Sequence, residues 1–120
     1  MHLLDTDTLT HAHAENSNVA ERLRSLQDPI VGITIVTKIE LLKGRMDYVL
    51  KAETSADLVR AQSLLERTEQ LLALMLIVPF SPKAAEQFDR LRAVSSLRKI
   101  GRADILIASI ALANRAVLVT

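Results

Sequence analysis

The sequence predicts an α/β domain whose central, mainly parallel sheet of four strands is flanked by helices. Short aliphatic runs alternate with longer segments of helical periodicity, the pattern of strands joined by helical crossovers. The chain is 49% hydrophobic but 2% aromatic, with Tyr48, Phe80 and Phe88 its only rings, so Leu, Ile, Val and Ala must form the core. Its 120 residues suit one domain, residues 1–120, large enough to bury about two-thirds of its unfolded surface.

The strands are expected at His2–Leu4, Ile30–Ile33, Leu76–Val78 and Ala116–Val119. A first helix begins near Asp7, and a second covers Val19 to Leu26, stopping before Asp28-Pro29. Thr34 or Thr37 caps the next helix, which is expected to end at Gly44; Thr37 and Glu40 also have the spacing of a capping box. A long helix follows from Thr54 to Met75, with Leu58, Leu65 and Leu72 at seven-residue spacing and Ala61 and Met75 on the same face. Thr54 to Asp57 supply its start signal. Ser81-Pro82 opens another helix through Leu97, with proline in its first turn. Gly101 interrupts it, and a helix containing Asp104 leads to the last strand.

Composition narrows the function. Three scattered rings cannot build an aromatic platform for stacked bases. The absence of cysteine excludes disulfides and thiolate metal sites and makes the cytoplasm the default compartment. No signal-peptide pattern opens the chain, and the uncharged apolar stretch from Leu71 to Ser81 is too short to span a bilayer. The net charge is +1, yet Arg90, Arg92, Arg98, Lys99 and Arg102 fall within thirteen residues that contain no acid. A solvated helix face explains such a cluster; beside carboxylates it also suits an approaching phosphodiester.

Asp5, Glu40 and Asp104 are the chemical candidates, each a carboxylate at the edge of a strongly apolar stretch. Asp5 follows the first strand, where open α/β sheets bind ligands; the structural alternative is a turn, with Asp7 capping the helix. The capping box is the alternative for Glu40. Asp104 opens a segment apolar enough to be largely buried, where an ionised group costs several kcal/mol unless paired. Carboxylates about 4 Å apart repel by roughly 4 kcal/mol at an effective dielectric near 20, against a domain stability of about 5–15 kcal/mol. A cluster of them therefore calls for a cation or a shared proton. Oxygen-only donors favour Mg²⁺ or Mn²⁺ over Zn²⁺. His11 and His13, two apart on a helix, do not face one another and are read as solvated or capping.

Leu3-Leu4-Asp5-Thr6-Asp7, Thr34 through Gly44, Ile100 through Ala108 and Ala116 through Thr120 together resemble the PIN-domain nucleases, most closely the VapC-type toxins of bacterial toxin–antitoxin pairs. The order and spacing of these pieces cover nearly the whole chain. The resemblance implies a Mg²⁺- or Mn²⁺-dependent endoribonuclease in which Asp5, Glu40 and Asp104 are catalytic metal ligands and Thr6, Asp7 and Thr37 support them. Arg98, Lys99 and Arg102 are the candidates for RNA-phosphate contacts. The implied partners are an RNA substrate, a small antitoxin held in a groove and a second copy of the chain in a homodimer. The family's pattern continues after its last matching strand with an Asn, a fourth acidic residue and a fifth strand. This sequence stops at Thr120, so the shortened form is expected to bind at most one ion tightly, to show little nuclease activity and to leave an aliphatic strand edge exposed.

Two other readings stand beside this one. Asp5-Thr6-Asp7-Thr8 resembles the nucleophile and acid pair of haloacid-dehalogenase-type phosphohydrolases, although Leu9 stands where that family has Thr or Val. A PIN-like module that binds antitoxin or RNA without cutting belongs to a different class altogether.

Overall fold

The computed structural model describes residues 1–13 and 30–120. Among these, four strands and five α-helices follow in the order β1 (His2–Leu4), α1 (Thr6–His13), β2 (Val31–Thr34), α2 (Ile35–Lys51), α3 (Ser55–Ala73), β3 (Leu76–Val78), α4 (Pro82–Ala93), α5 (Arg102–Ala113) and β4 (Val117–Val119). A 3₁₀ turn, Ser95–Leu97, lies between α4 and α5. The helix expected at residues 19–26 lies outside the described residues.

The strands form one parallel sheet in the order β3-β2-β1-β4. β1 is central, pairing Leu3 with Gly32 on one side and with Leu118 on the other. Successive strand residues point to opposite faces, and β1 is apolar in both directions. Leu3 packs with Val78, Ala84, Ile110 and Ala111, whereas Leu4 packs with Leu9, Ile33, Leu41 and Leu72. Both faces are covered, as an all-parallel sheet requires. β2 is displaced one residue from expectation: Ile30 stays outside, its carbonyl accepting the His2 amide at 2.9 Å, while Thr34 joins the strand.

Gly32 is set by close approach. A Cβ at this position would stand 2.6 Å from the Leu76 carbonyl oxygen, so β3 reaches its register only against a residue without a side chain.

Two helix ends differ from the sequence reading. α2 continues through Gly44 to Lys51, because Gly44 sits on an open face and adopts no left-handed conformation. A glycine inside a helix costs about 1 kcal/mol, too little to end one whose next seven residues are ordinary helix formers. α4 stops at Ala93, not Leu97, where Val94 turns extended and the 3₁₀ turn begins. Ser81 caps α4 through the Ala84 amide, and Thr54 caps α3 through the Asp57 amide.

α2 and α3, of 17 and 19 residues, are each about 25–29 Å long at 1.5 Å per residue, far longer than strands of three or four residues. They form an antiparallel hairpin that projects beyond the sheet and stretches the molecule to 48 × 32 × 23 Å. The Arg45 Nε donates to Thr68 Oγ1 across it at 3.3 Å, and Thr68 in turn donates to the Leu64 carbonyl at 2.8 Å. Of the expected α3 stripe, Ala61 and Leu72 are buried, Leu65 and Met75 half-buried and Leu58 exposed, so the stripe is mainly core. No helix among the described residues is long and apolar enough to cross a membrane.

Candidate active site at the carboxyl edge of the sheet

Parallel strands present all their carboxyl ends at one edge. Asp5 is the first residue beyond β1, and α2 begins at once where β2 ends, placing Glu40 in its second turn. α5 leads through a short turn into β4 and so runs antiparallel to it, which brings its first turn, containing Asp104, toward the same edge. Residues 35 and 64 apart in sequence are thus directed to one side of the molecule.

Asp5 is held on several sides. Its amide donates to the Val119 carbonyl at 3.1 Å, its carbonyl accepts the Leu9 amide at 3.0 Å, and its Oδ1 accepts the Thr8 amide at 2.8 Å. The last bond is that of an N-cap residue to the third helical residue. Asp5, not Asp7, therefore caps α1, and Asp7 stands exposed in its first turn. The Thr8 hydroxyl donates to the Val119 carbonyl at 3.2 Å, joining α1 to β4. Thr8 escaped the sequence reading, although its position three residues after Asp5 is the spacing of a cap.

Glu40 is joined to this group directly. The Thr6 hydroxyl donates to its Oε1 at 2.7 Å, across 34 residues of sequence. The expected capping box does not form. Thr34 is the N-cap of α2, its Oγ1 accepting the Thr37 amide at 3.1 Å, which leaves Glu40 too far into the helix to reach an end. Its carboxylate is directed to Thr6 instead. Beneath it Thr34 and Thr37 are fully buried, and the Thr34 hydroxyl donates to Thr37 Oγ1 at 3.4 Å. These hydroxyls fix the start of α2 from inside.

The expectation that the carboxylates are embedded in apolar surroundings needs correcting. Asp5 is half-buried, but Glu40 and Asp104 are exposed. α5 buries Ile105, Ile107, Ile110 and Ala111, while Asp104 lies on the outward face that it shares with Leu112, so the helix can be apolar and its acid solvated. Among the described residues no three His, Asp or Glu side chains are gathered into a ready-made metal cage. The donor chemistry suits a hard divalent cation, since Asp5 and Glu40 offer only oxygen and the chain has no thiolate. Asp5 Oδ2, the Glu40 carboxylate and the Asp104 carboxylate are the groups that could hold one.

Of the candidate phosphate-binding cations, Arg98 and Arg102 line one cavity beside the start of α5, together with Arg92; Lys99 is exposed and does not line it. His11 is exposed on α1.

The PIN domain family model matches residues 2–120. Among solved structures, the chain is similar to VapBC2 from Rickettsia felis bound to a DNA fragment from their promoter, with 27% identity over 99% of this chain and 85% of that chain and a TM-score of 0.74. It is also similar to FitAcB from Neisseria gonorrhoeae, with 26% identity over 100% of this chain and 86% of that chain and a TM-score of 0.78. VapBC-1 from nontypeable Haemophilus influenzae, at 23% identity over 99% of this chain and 84% of that chain, shares the fold with a TM-score of 0.73. Comparison with curated proteins gives no match. The family match spans all four strands and every described helix, and the chain belongs to the PIN-domain family.

Proposed function

We propose that this protein is the toxin of a toxin–antitoxin pair, an endoribonuclease that uses Mg²⁺ or Mn²⁺ to hydrolyse RNA phosphodiester bonds with Asp5, Glu40 and Asp104. The observation that carries this reading is the 2.7 Å hydrogen bond from Thr6 to Glu40, which ties the residue after Asp5 to a second, exposed carboxylate. Family membership supports a nuclease, and the similarity to VapBC2 and FitAcB supports a toxin with an antitoxin partner. It also weighs against the haloacid-dehalogenase-type reading, as does the exposed position of Asp7 in α1.

A divalent ion at such a site supplies a Lewis acid for the phosphate and a more acidic water. The chain's own residues do the rest. Asp5 offers Oδ2 while Oδ1 stays on the Thr8 amide, so its orientation is set before any ligand arrives. Thr6 holds one Glu40 oxygen, and Thr34 and Thr37 keep the start of α2 in place. Arg98, Lys99 and Arg102 supply positive charge for the RNA backbone, which gives affinity without sequence choice. For partners, the α2–α3 hairpin exposes Ile39, Met46, Leu50, Leu58 and Val59, apolar side chains suited to an apolar antitoxin segment or a second copy.

Asp5→Asn is the direct test. It should abolish Mn²⁺-dependent cleavage of single-stranded RNA and weaken Mn²⁺ binding in calorimetry, with thermal stability unchanged. Cleavage that persists in the variant would refute the assignment. The exposure of Glu40 and Asp104 favours a second reading, a PIN module that binds without cutting. RNA retained by the wild type without cleavage at millimolar Mn²⁺ would select it.

A further inference from the structure

A cavity of about 460 Å³ opens between α4, the 3₁₀ turn and the first turn of α5. Phe88, Leu97 and Ile105 line its apolar part, and Arg92, Arg98 and Arg102 bring three guanidinium groups to it. Among the described residues no carboxylate lines the cavity and none of the three arginines is ion-paired, whereas Arg60 pairs with Asp57. Unpaired cations brought together repel one another, and an anion offsets that repulsion. Two of the three rings expected to lie scattered meet here, which corrects the expectation that they offer no stacking face. The Arg92 guanidinium lies over the Phe88 ring, 5.3 Å from its centroid, and Phe80 meets Phe88 edge-on at 6.1 Å. Arg92 thereby presents a planar cation whose orientation costs little further entropy.

We propose that this cavity holds one nucleotide of the RNA strand, its base against the Arg92–Phe88 stack and its phosphate on Arg98 and Arg102, and so sets base preference next to the cut. The proposal rests on the nuclease reading above and adds to it a specificity pocket. Three features carry it. The volume lies in the range of small-ligand pockets, about 300–1,000 Å³. The lining combines an apolar floor and a stackable face with forked donors, the three needs of a base and its phosphate. Arg102 and Asp104 stand on different faces of the same first turn of α5, so a nucleotide in the cavity lies at the helix end that carries the candidate carboxylate. A peptide with a single carboxylate would leave two of the arginines unpaired, which favours a strand with a phosphate on each side of the base.

The four ribonucleoside 5′-monophosphates serve as probes with the full chain, read by methyl NMR at Leu97 and Ile105. The expected result is a saturable shift of both methyls, strongest for one or two bases. Affinity should fall about tenfold in Arg98→Ala/Arg102→Ala and again for nucleosides lacking phosphate. In cleavage assays, Arg92→Ala should flatten the base preference beside the cut, read as the ratio of cleavage rates among substrates that differ only at that base, because it removes the stacking face. Overlaid spectra at millimolar nucleotide, or an acidic peptide that shifts these methyls when nucleotides do not, would overturn the proposal. Cleavage whose base preference is unchanged in Arg92→Ala would overturn it while leaving the nuclease reading intact. Nucleotide binding in a chain that cuts no RNA would sink that reading and retain the pocket.

Discussion

Asp5 accepts the Thr8 amide with one carboxylate oxygen, so substitutions there change α1 as well as the site edge. Asparagine caps about as well as aspartate, whereas alanine at an N-cap costs about 0.5–2 kcal/mol. Asp5→Ala should therefore be about 1 kcal/mol less stable than Asp5→Asn in urea unfolding, although both lose the candidate metal ligand. Equal stability would mean that the Thr8 bond contributes nothing. At this scale the sequence exposes residue types and hides their neighbours. The apolar run around Glu40 marks it as a candidate, but Thr6 as its partner depends on β1 and β2 lying side by side. Gly32 falls inside the expected strand Ile30–Ile33, but the reason for glycine there, the Leu76 carbonyl 2.6 Å from where a Cβ would stand, is a tertiary contact. The embedding of Asp104 was misjudged because a mean over a helix does not say which of its faces an acid occupies.

Helix starts were more legible than helix stops. Thr54 and Ser81 cap the helices they were read to cap, through amides three residues on. A cap is local chemistry; a stop depends on what lies beside the chain, and α2 ran past Gly44 because its continuation packs on α3. α5 ends with a bond from Ala116 N to the Ala111 carbonyl at 2.9 Å and one from Arg115 N to Leu112 at 3.2 Å, the pair that defines a Schellman motif. Its left-handed position is held by Arg115 at φ 51°. Glycine takes that conformation without the Cβ clash, so Arg115→Gly should stabilise the chain by up to about 1 kcal/mol, measured by thermal unfolding. Destabilisation would show that the arginine side chain makes a compensating contact. At the start of α3, a hydrogen bond with the Thr54 side chain and then the Arg60 guanidinium hold the Asp57 carboxyl below its ordinary 3.8. A depressed folded value means stability that is present above the unfolded value and lost as pH falls through the folded one. The stability difference between wild type and Asp57→Asn should thus be flat near neutrality and shrink on acidification below about pH 4. A difference that persists unchanged at lower pH would contradict this coupling.

The projecting α2–α3 hairpin carries strongly exposed apolar residues, with Leu50 83% and Val59 69% exposed. If it joins two copies, sedimentation should show a dimer for the wild type and a monomer for Leu50→Glu/Val59→Glu, with cleavage retained in the monomer. Identical sedimentation of the two forms would remove the hairpin from the interface. Much of this architecture could be read from alternating aliphatic and helical segments, since a parallel sheet needs helices between its strands. The order β3-β2-β1-β4 could not, because nothing in a run of aliphatic residues names its neighbour. That order has a consequence in time. Asp5 is among the first residues synthesised, yet its amide is satisfied by Val119, and β1 gains its second neighbour only from β4. Pairings this distant in sequence form late and slowly. A nascent chain that has left the ribosome only as far as α5 still has β1 open along one side, so the candidate site edge is completed only once β4 has emerged. A chain still being made therefore has no finished site edge until synthesis has passed β4.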